Sequence, residues 1–236
     1  MSGTCHTRSP AFSRRHFSVA SPGVHLGRRP VRRAHLADWP LVDGTQSKRD
    51  LRRRVLAARR GRSERERAAA GAKIRDAVLA LPATASASTV AAYYAVGSEP
   101  DTRLLVAALF ERGHRVLLPV FLDSGELDWA AYTGPESLAP AGRGLVEPAG
   151  PRLGVDAVRG AGVLVCPALA VDPAGRRLGR GAGCYDRVLA LVGAQALSLA
   201  VVYDDELVDA VPVEPHDRPV RAVVTPGRGV VWSTAR

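Results

Sequence analysis

The chain has 236 residues, of which 46% are hydrophobic and 24% charged, with a formal net charge of +10. The cysteines, Cys5, Cys166 and Cys184, form no C-x-x-C pair and leave one over, which excludes a disulfide framework and a cysteine zinc site and suits a cytoplasmic, reducing compartment. The longest apolar stretches, 161–171 and 188–203, are interrupted by Pro167 and by Gly193, Gln195 and Ser198, so no membrane span is expected and one domain is compatible with this length.

Half of the positive excess lies in residues 1–47, where seven arginines face only Asp38 and Asp43. No aromatic residues interleave with the basic ones as a stacking surface for nucleic acid would require, so no nucleic-acid partner is expected. Residues 1–46 are rich in Arg, Ser and Pro and lack hydrophobic periodicity. They read as a disordered basic extension or a mis-assigned start, with an organellar transit peptide as the alternative.

From residue 47 onward, to 236, the pattern alternates helix and strand. Ser47 with Asp50, and Ser63 with Glu66, have the spacing of capping boxes and open two helices, running to about Arg60 and Leu81. Residues 89–94 are β-rich, 101–112 carry Leu104, Leu105, Ala108 and Leu109 at helical spacing before Gly113, and 115–120 are β-rich again, which makes a βαβ unit. A hairpin-like region over 127–132 follows, then a buried strand over 163–166, a glycine-rich loop, a helix from about Tyr185 to Val192, and strands near 197–202 and 222–225. The expected fold is a single three-layer α/β/α domain with a Rossmann-like, mostly parallel sheet and ligands at the carboxyl ends of its strands.

The glycine-rich loop carries the chemistry. Gly179, Gly181 and Gly183 alternate with Arg180 and Ala182 before the helix, so the backbone is free to take positive φ and turn N–H groups onto an anion, next to the positive helix end. Arg176, Arg177, Arg180 and Arg187 add mobile positive charge, and Asp186 suits a cation shared with phosphates. A dinucleotide G-x-G-x-x-G fails at Cys184 and a Walker loop is absent. Taken alone, the loop is also compatible with a flexible arginine-rich turn.

The segment 167–187 resembles the signature of 5-formyltetrahydrofolate cyclo-ligases, also called methenyltetrahydrofolate synthetases: Pro-Gly-x-Ala-Phe-Asp, then Arg-Leu-Gly-x-Gly-x-Gly-Tyr-Tyr-Asp-Arg. Ser47-Lys48-Arg49-Asp50-Leu51-Arg52 is similar to the family's N-terminal helix, and Tyr94 through Glu99-Pro-Asp-Thr102 to its acidic folate loop. Arg115 to Pro119, Gly144-Leu-Val-Glu-Pro148, and Pro215-His-Asp217 through Thr225 resemble later motifs in family order. The resemblance implies ATP-dependent closure of the N5-formyl group onto N10, giving 5,10-methenyltetrahydrofolate, ADP and phosphate, in a monomer whose substrates are 5-formyltetrahydrofolate and ATP.

It also implies roles. Arg177, Leu178, Gly179, Arg180, Gly181, Ala182, Gly183, Cys184, Tyr185 and Asp186 would line the ATP site with Lys48 and Arg52, which lie four apart on one helix face. Arg180 and Tyr185 are the expected catalytic residues, Arg180 at the transferring phosphoryl group. Tyr94 and Glu99 would contact the folate together with the 180–184 loop, and Asp186 and Asp217 would hold Mg²⁺. Each has a plainer reading: Lys48 and Arg52 as a solvated face, Glu99 as a loop residue, Asp217 as a turn cap, His216 as a partner for a carboxylate, and Trp129 as packing. Cys184 in place of the first tyrosine of Tyr-Tyr-Asp, Ala182 in place of glycine or lysine, Val171 in place of phenylalanine and Arg221 in place of aspartate depart from the family pattern. They point to an altered folate pocket and leave open a diverged ATP- or folate-binding homologue.

Overall fold

Seven strands form one sheet in the order β11-β10-β9-β6-β1-β2-β3. They are β1 (Thr89–Ala92), β2 (Arg115–Phe121), β3 (Leu127–Tyr132), β6 (Val163–Pro167), β9 (Leu197–Val201), β10 (Ala222–Thr225) and β11 (Gly229–Trp232). The inner five run parallel, and the edges β3 and β11 pair antiparallel with β2 and β10. This computed structural model describes residues 47–234 together with residue 1, so the expectations for residues 1–46 lie outside the described residues. Short antiparallel pairs, β4 (Leu138–Pro140) with β5 (Val146–Pro148) and β7 (Ala170–Val171) with β8 (Arg177–Leu178), sit in the connections.

The central strands read as continuous apolar runs because both sheet faces are covered. Val163, Leu164, Val165 and Cys166 of β6 are all fully buried, as are Val90, Ala91 and Ala92 of β1. The helices are α1 (Lys48–Arg60), α2 (Glu64–Leu79), α3 (Pro82–Ser86), α4 (Arg103–Glu111) and α5 (Cys184–Leu191). The Ser47 hydroxyl accepts from Asp50 N at 3.2 Å, and Ser63 with Glu66 completes a reciprocal capping box, as the spacing requires. Helix α2 buries Ile74 and Val78, each stabilising by about 1.5–3 kcal/mol. Its Gly71 lets the chain before α4 come close, since a Cβ there would lie 2.9 Å from both Cβ and O of Asp101.

Right-handed crossovers fix which side each helix takes. From β1 the chain steps through α4 outward to β2, whereas from β6, on the other side of β1, it steps through α5 in the opposite direction to β9. These opposite steps put α4 and α5 on opposite faces, which is the expected three-layer α/β/α arrangement, and make the β1/β6 boundary a topological switch point. The sequence pattern places the elements within a few residues. Its second helix stops at Leu79, because Pro82 opens the separate helix α3, and α5 starts at Cys184, one residue earlier than expected. The edge strand β11 has no counterpart in the sequence reading.

Candidate active site

Beyond the carboxyl ends of β1 and β6 lies a cavity of about 390 Å³. Its walls include the residues to which the resemblance gave roles: Lys48, Arg52, Tyr94, Glu99, the run 177–186 and Asp217. Four separate stretches of chain therefore converge at the switch point. Lys48 and Arg52 come from the first two turns of α1, Tyr94 and Glu99 from the loop after β1, the 177–186 run from β8 to α5, and Asp217 from the loop before β10.

One half of the cavity is built from unpartnered backbone. None of the N–H groups from Gly179 to Gly183 donates to a described residue. Gly181 and Gly183 take φ of +113° and +65°, turning the chain so that Gly183 is the N-cap of α5 with no side-chain cap. The first-turn amides of α5 have no partner within the helix, and its positive end closes the same loop. Gly179 does not take positive φ. What it supplies is room, since a Cβ there would sit 3.0 Å from Arg177 Nη1.

Arg177, Arg52 and Lys48 around this loop are anchored, not mobile. Arg177, only 3% exposed at its side chain, donates to Asp186 Oδ1 at 2.9 Å. Arg52 Nε donates to Gly179 O at 2.9 Å, and Lys48 Nζ lies 2.8 Å from Asp217 Oδ2 and 3.3 Å from Glu214 Oε1. Arg176 contradicts the expectation of a phosphate-directed charge: it is ion-paired at 2.7 Å with the buried Asp172 and takes no part in the cavity wall. Arg187 sits in a shallower depression outside the loop, donating to Gly125 O and, at 3.1 Å, to Ala182 O. Burial alone would raise the Asp217 carboxyl, but hydrogen bonds from Lys48 and the Glu214 N–H outweigh it and hold the group below the usual aspartate range.

The other half is a fixed loop. Glu99 Oε2 accepts from Val96 N at 3.1 Å, and Tyr203 Oη reaches Glu99 O at 3.4 Å. Thr102 Oγ1 bridges Tyr93 O at 2.7 Å and Ala95 N at 3.1 Å, and Tyr93 Oη donates to Pro100 O at 2.8 Å. The second Glu99 oxygen meets Arg180 Nη2 at 3.1 Å, so the two halves touch through one ion pair. Tyr185 is buried beside Arg177, 5.9 Å from ring centroid to guanidinium carbon. Burial, reinforced by the neighbouring Cys166 and Glu99, raises its phenol well above the ordinary range. It therefore enters the site as a neutral hydroxyl. Cys166 beneath it is pushed up to about 11 by burial and stays a thiol.

The remaining candidates divide clearly. Trp129 is fully buried and takes no part in the cavity wall, so the packing reading holds. His216 Nε2 lies 3.4 Å from Glu214 and 3.8 Å from Asp217, as a partner for carboxylates. Of the departures from the family pattern, Arg221 faces Ala194 O and Ala196 O and lies outside the cavity wall, whereas Cys184 and Ala182 are part of it. Sequence reasoning missed Arg59, Phe121 and Glu147 in the wall, and the Tyr203–Glu206 turn behind it. Arg59 was within reach, because positions 48, 52, 55 and 59 share one face of α1.

Similarity to known proteins agrees with this geometry. The profile of the 5-formyltetrahydrofolate cyclo-ligase family matches residues 44–226. The chain belongs to the 5-formyltetrahydrofolate cyclo-ligase family. It is 44% identical over 191 residues to the 5-formyltetrahydrofolate cyclo-ligase of Mycolicibacterium smegmatis, covering 79% of this chain and 97% of that protein. The Escherichia coli cyclo-ligase is 31% identical, over 75% of this chain and all of its own length. Among solved structures, the 5,10-methenyltetrahydrofolate synthetase of Aquifex aeolicus superposes with a TM-score of 0.69 at 28% identity, over 80% of this chain and 94% of that one. A synthetase from Mycoplasma pneumoniae, at 18% identity and a TM-score of 0.60, shares the fold. This cyclo-ligase family member is thus an enzyme of the ligase class. Among its described residues no helix is long and apolar enough to cross a membrane.

Proposed function

We propose that the chain converts 5-formyltetrahydrofolate to 5,10-methenyltetrahydrofolate at the expense of ATP, releasing ADP and phosphate. The observation that carries this reading is the loop 179–183, whose N–H groups have no partner among the described residues and lie beside Arg177, Arg180 and Lys48, facing a carboxylate loop across one cavity. Free amides and a helix start suit the oxygens of a triphosphate. Glu99 suits the N–H groups of a pterin ring.

A formyl amide oxygen is a poor leaving group. Transfer of the γ-phosphoryl group to that oxygen breaks the bond to ADP and makes the oxygen part of a phosphate ester. N10 then attacks the formyl carbon and loses its proton, and the C–O bond breaks with release of phosphate. The chain's task is alignment and charge stabilisation, with no side-chain nucleophile. Arg180, exposed and held among the described residues by Glu99 alone, is free to swing from that carboxylate onto the transferring group. Lys48 and Arg52 add positive charge from α1, and the neutral Tyr185 hydroxyl donates at the boundary between the substrates.

Asp186 and Asp217 fit Mg²⁺ by donor chemistry. Each keeps one oxygen outside its pair with Arg177 or Lys48, Asp186 Oδ2 and Asp217 Oδ1, the latter 3.8 Å from His216 Nε2, and carboxylate oxygen suits this cation. Bound there, Mg²⁺ would supply charge neutralisation for the phosphates. We take the enzyme to be a cytoplasmic monomer, with residues 47–236 as its catalytic domain and no nucleic-acid or membrane partner.

The test is absorbance of the methenyl product from the full chain with 5-formyltetrahydrofolate and Mg-ATP. A rise only when ATP is present, and lost in Asp186→Ala, is the expected result. No rise from folded protein that binds ATP contradicts the reading and leaves a diverged homologue, with Cys184 and Ala182 as the altered wall.

A further inference from the structure

A buried arginine of the cavity wall takes no part in the proposed phosphoryl transfer. Arg59, in the last turn of α1, is 1% exposed. Its Nε and Nη2 fork onto the Glu206 carboxylate at 2.7 and 2.8 Å, and Nη2 also donates to Ala168 O at 2.6 Å. The third nitrogen, Nη1, donates to no described residue. Arg59 is buried and forms part of the cavity wall. Nη1 is therefore the donor that Arg59 can offer to the cavity it lines.

Its neighbours place it in the carboxylate half. The guanidinium carbon stands 5.7 Å from the Tyr203 ring, and the hydroxyl of that ring reaches Glu99 O at 3.4 Å. Glu206 is fixed in turn by Tyr203 N at 2.8 Å. Burial works against the charged guanidinium, but Glu206 holds it protonated, and the Glu99 charge acts in the same direction. Nη1 is then a permanent donor with no acceptor function, set near an acceptor-only carboxylate. Such a pair reads a ligand edge that carries an acceptor next to donors.

The 4-oxo pterin ring has that edge: O4 accepts, and N3–H and the 2-amino group donate. We propose that Arg59 is a specificity-determining residue, its Nη1 donating to O4 while Glu99 receives the N3–H and 2-amino protons. This rests on the 5-formyltetrahydrofolate reading. A 4-amino ring presents a donor to Arg59 and removes the N3 proton from Glu99, so the site selects the 4-oxo form.

The experiment compares dissociation constants, by calorimetry on the full chain, for 5-formyltetrahydrofolate and its 4-amino-4-deoxy counterpart. The wild type is set against R59M/E206M, in which both charges are replaced together because a lone buried carboxylate would destabilise the fold. Wild type is expected to prefer the 4-oxo compound by about tenfold or more, the worth of one hydrogen bond to a charged group. In the double variant, with an unchanged melting temperature, that preference falls by about tenfold. A merely structural Arg59 would weaken both ligands alike and leave the ratio intact, which would overturn the proposal. Should the double variant not fold, R59K, which keeps the charge but not the fork, is expected to lower the ratio likewise. Equal wild-type affinity for the two compounds also overturns the assignment. Binding of neither would overturn the folate reading as well and is a distinct result.

Discussion

The loop from Gly179 to Gly183 and the loop from Val96 to Thr102 face each other across one cavity and are built in opposite ways. In the first, the backbone N–H groups have no partner among the described residues, and the surrounding side chains hold one another in pairs that a ligand could exchange. In the second, side chains and backbone fix one another through Thr102, Tyr93, Tyr203 and Glu99 before any ligand arrives. The difference teaches how one site handles two substrates. A flexible, highly charged phosphate chain calls for unspent donors, whereas a rigid ring with a fixed edge calls for a preset acceptor.

Single substitutions should separate the two halves of the cavity. Arg180→Ala is expected to lower turnover by about 10²–10³-fold, the usual cost of one donor at a developing charge. Its effect on stability should be negligible, because the side chain is 58% exposed. Glu99→Gln should raise KM for the folate at least tenfold and leave KM for ATP nearly unchanged. Equal effects on both substrates would mean that the halves are not distinct.

Asp186→Ala strands the buried Arg177 and should cost about 3 kcal/mol by denaturant titration, in addition to loss of activity. The glycines offer a matched pair of smaller changes. Gly97 and Gly183 have φ of +59° and +65°, so alanine at either should cost about 1 kcal/mol. Steady-state kinetics should then differ, with Gly183→Ala raising KM for ATP and Gly97→Ala raising KM for the folate.

The smallest effect is in pH. The Asp217 carboxyl titrates lower in the folded chain than its ordinary value of about 3.9, so its pairing with Lys48 stabilises above that pH and is lost as pH falls through the lower, folded value. Asp217→Asn should therefore be less stable than wild type near neutrality, and the gap should close below about pH 4. A gap that stays constant with pH would contradict this role.

How much of this was legible in sequence follows from what is local. Capping at Ser47 and Ser63, the βαβ repeat and the glycine loop depend on neighbours along the chain, and they were read within a few residues. The anchoring of Arg177 by Asp186 spans nine positions, and that of Lys48 by Asp217 spans 169. Both partners were recognised by resemblance, but as metal ligands and phosphate contacts, since ion pairs across a fold leave no periodic trace. Arg176 and Arg177 show the limit most plainly. Adjacent and identical, they part at the start of β8: Arg176, just before the strand, pairs with Asp172, and Arg177, its first residue, lines the cavity. The role of Tyr203 in backing the Glu99 loop, 104 residues away in sequence, required the fold.

Amide hydrogen exchange of the full chain, with and without Mg-ATP, distinguishes the two loops in solution. In the free chain the amides of residues 179–183 should exchange fast and those of Ala95 and Val96 slowly, and Mg-ATP should protect the first group while leaving the second unchanged. Equal exchange of both groups in the free chain, or no protection of residues 179–183 by saturating Mg-ATP, would contradict the account.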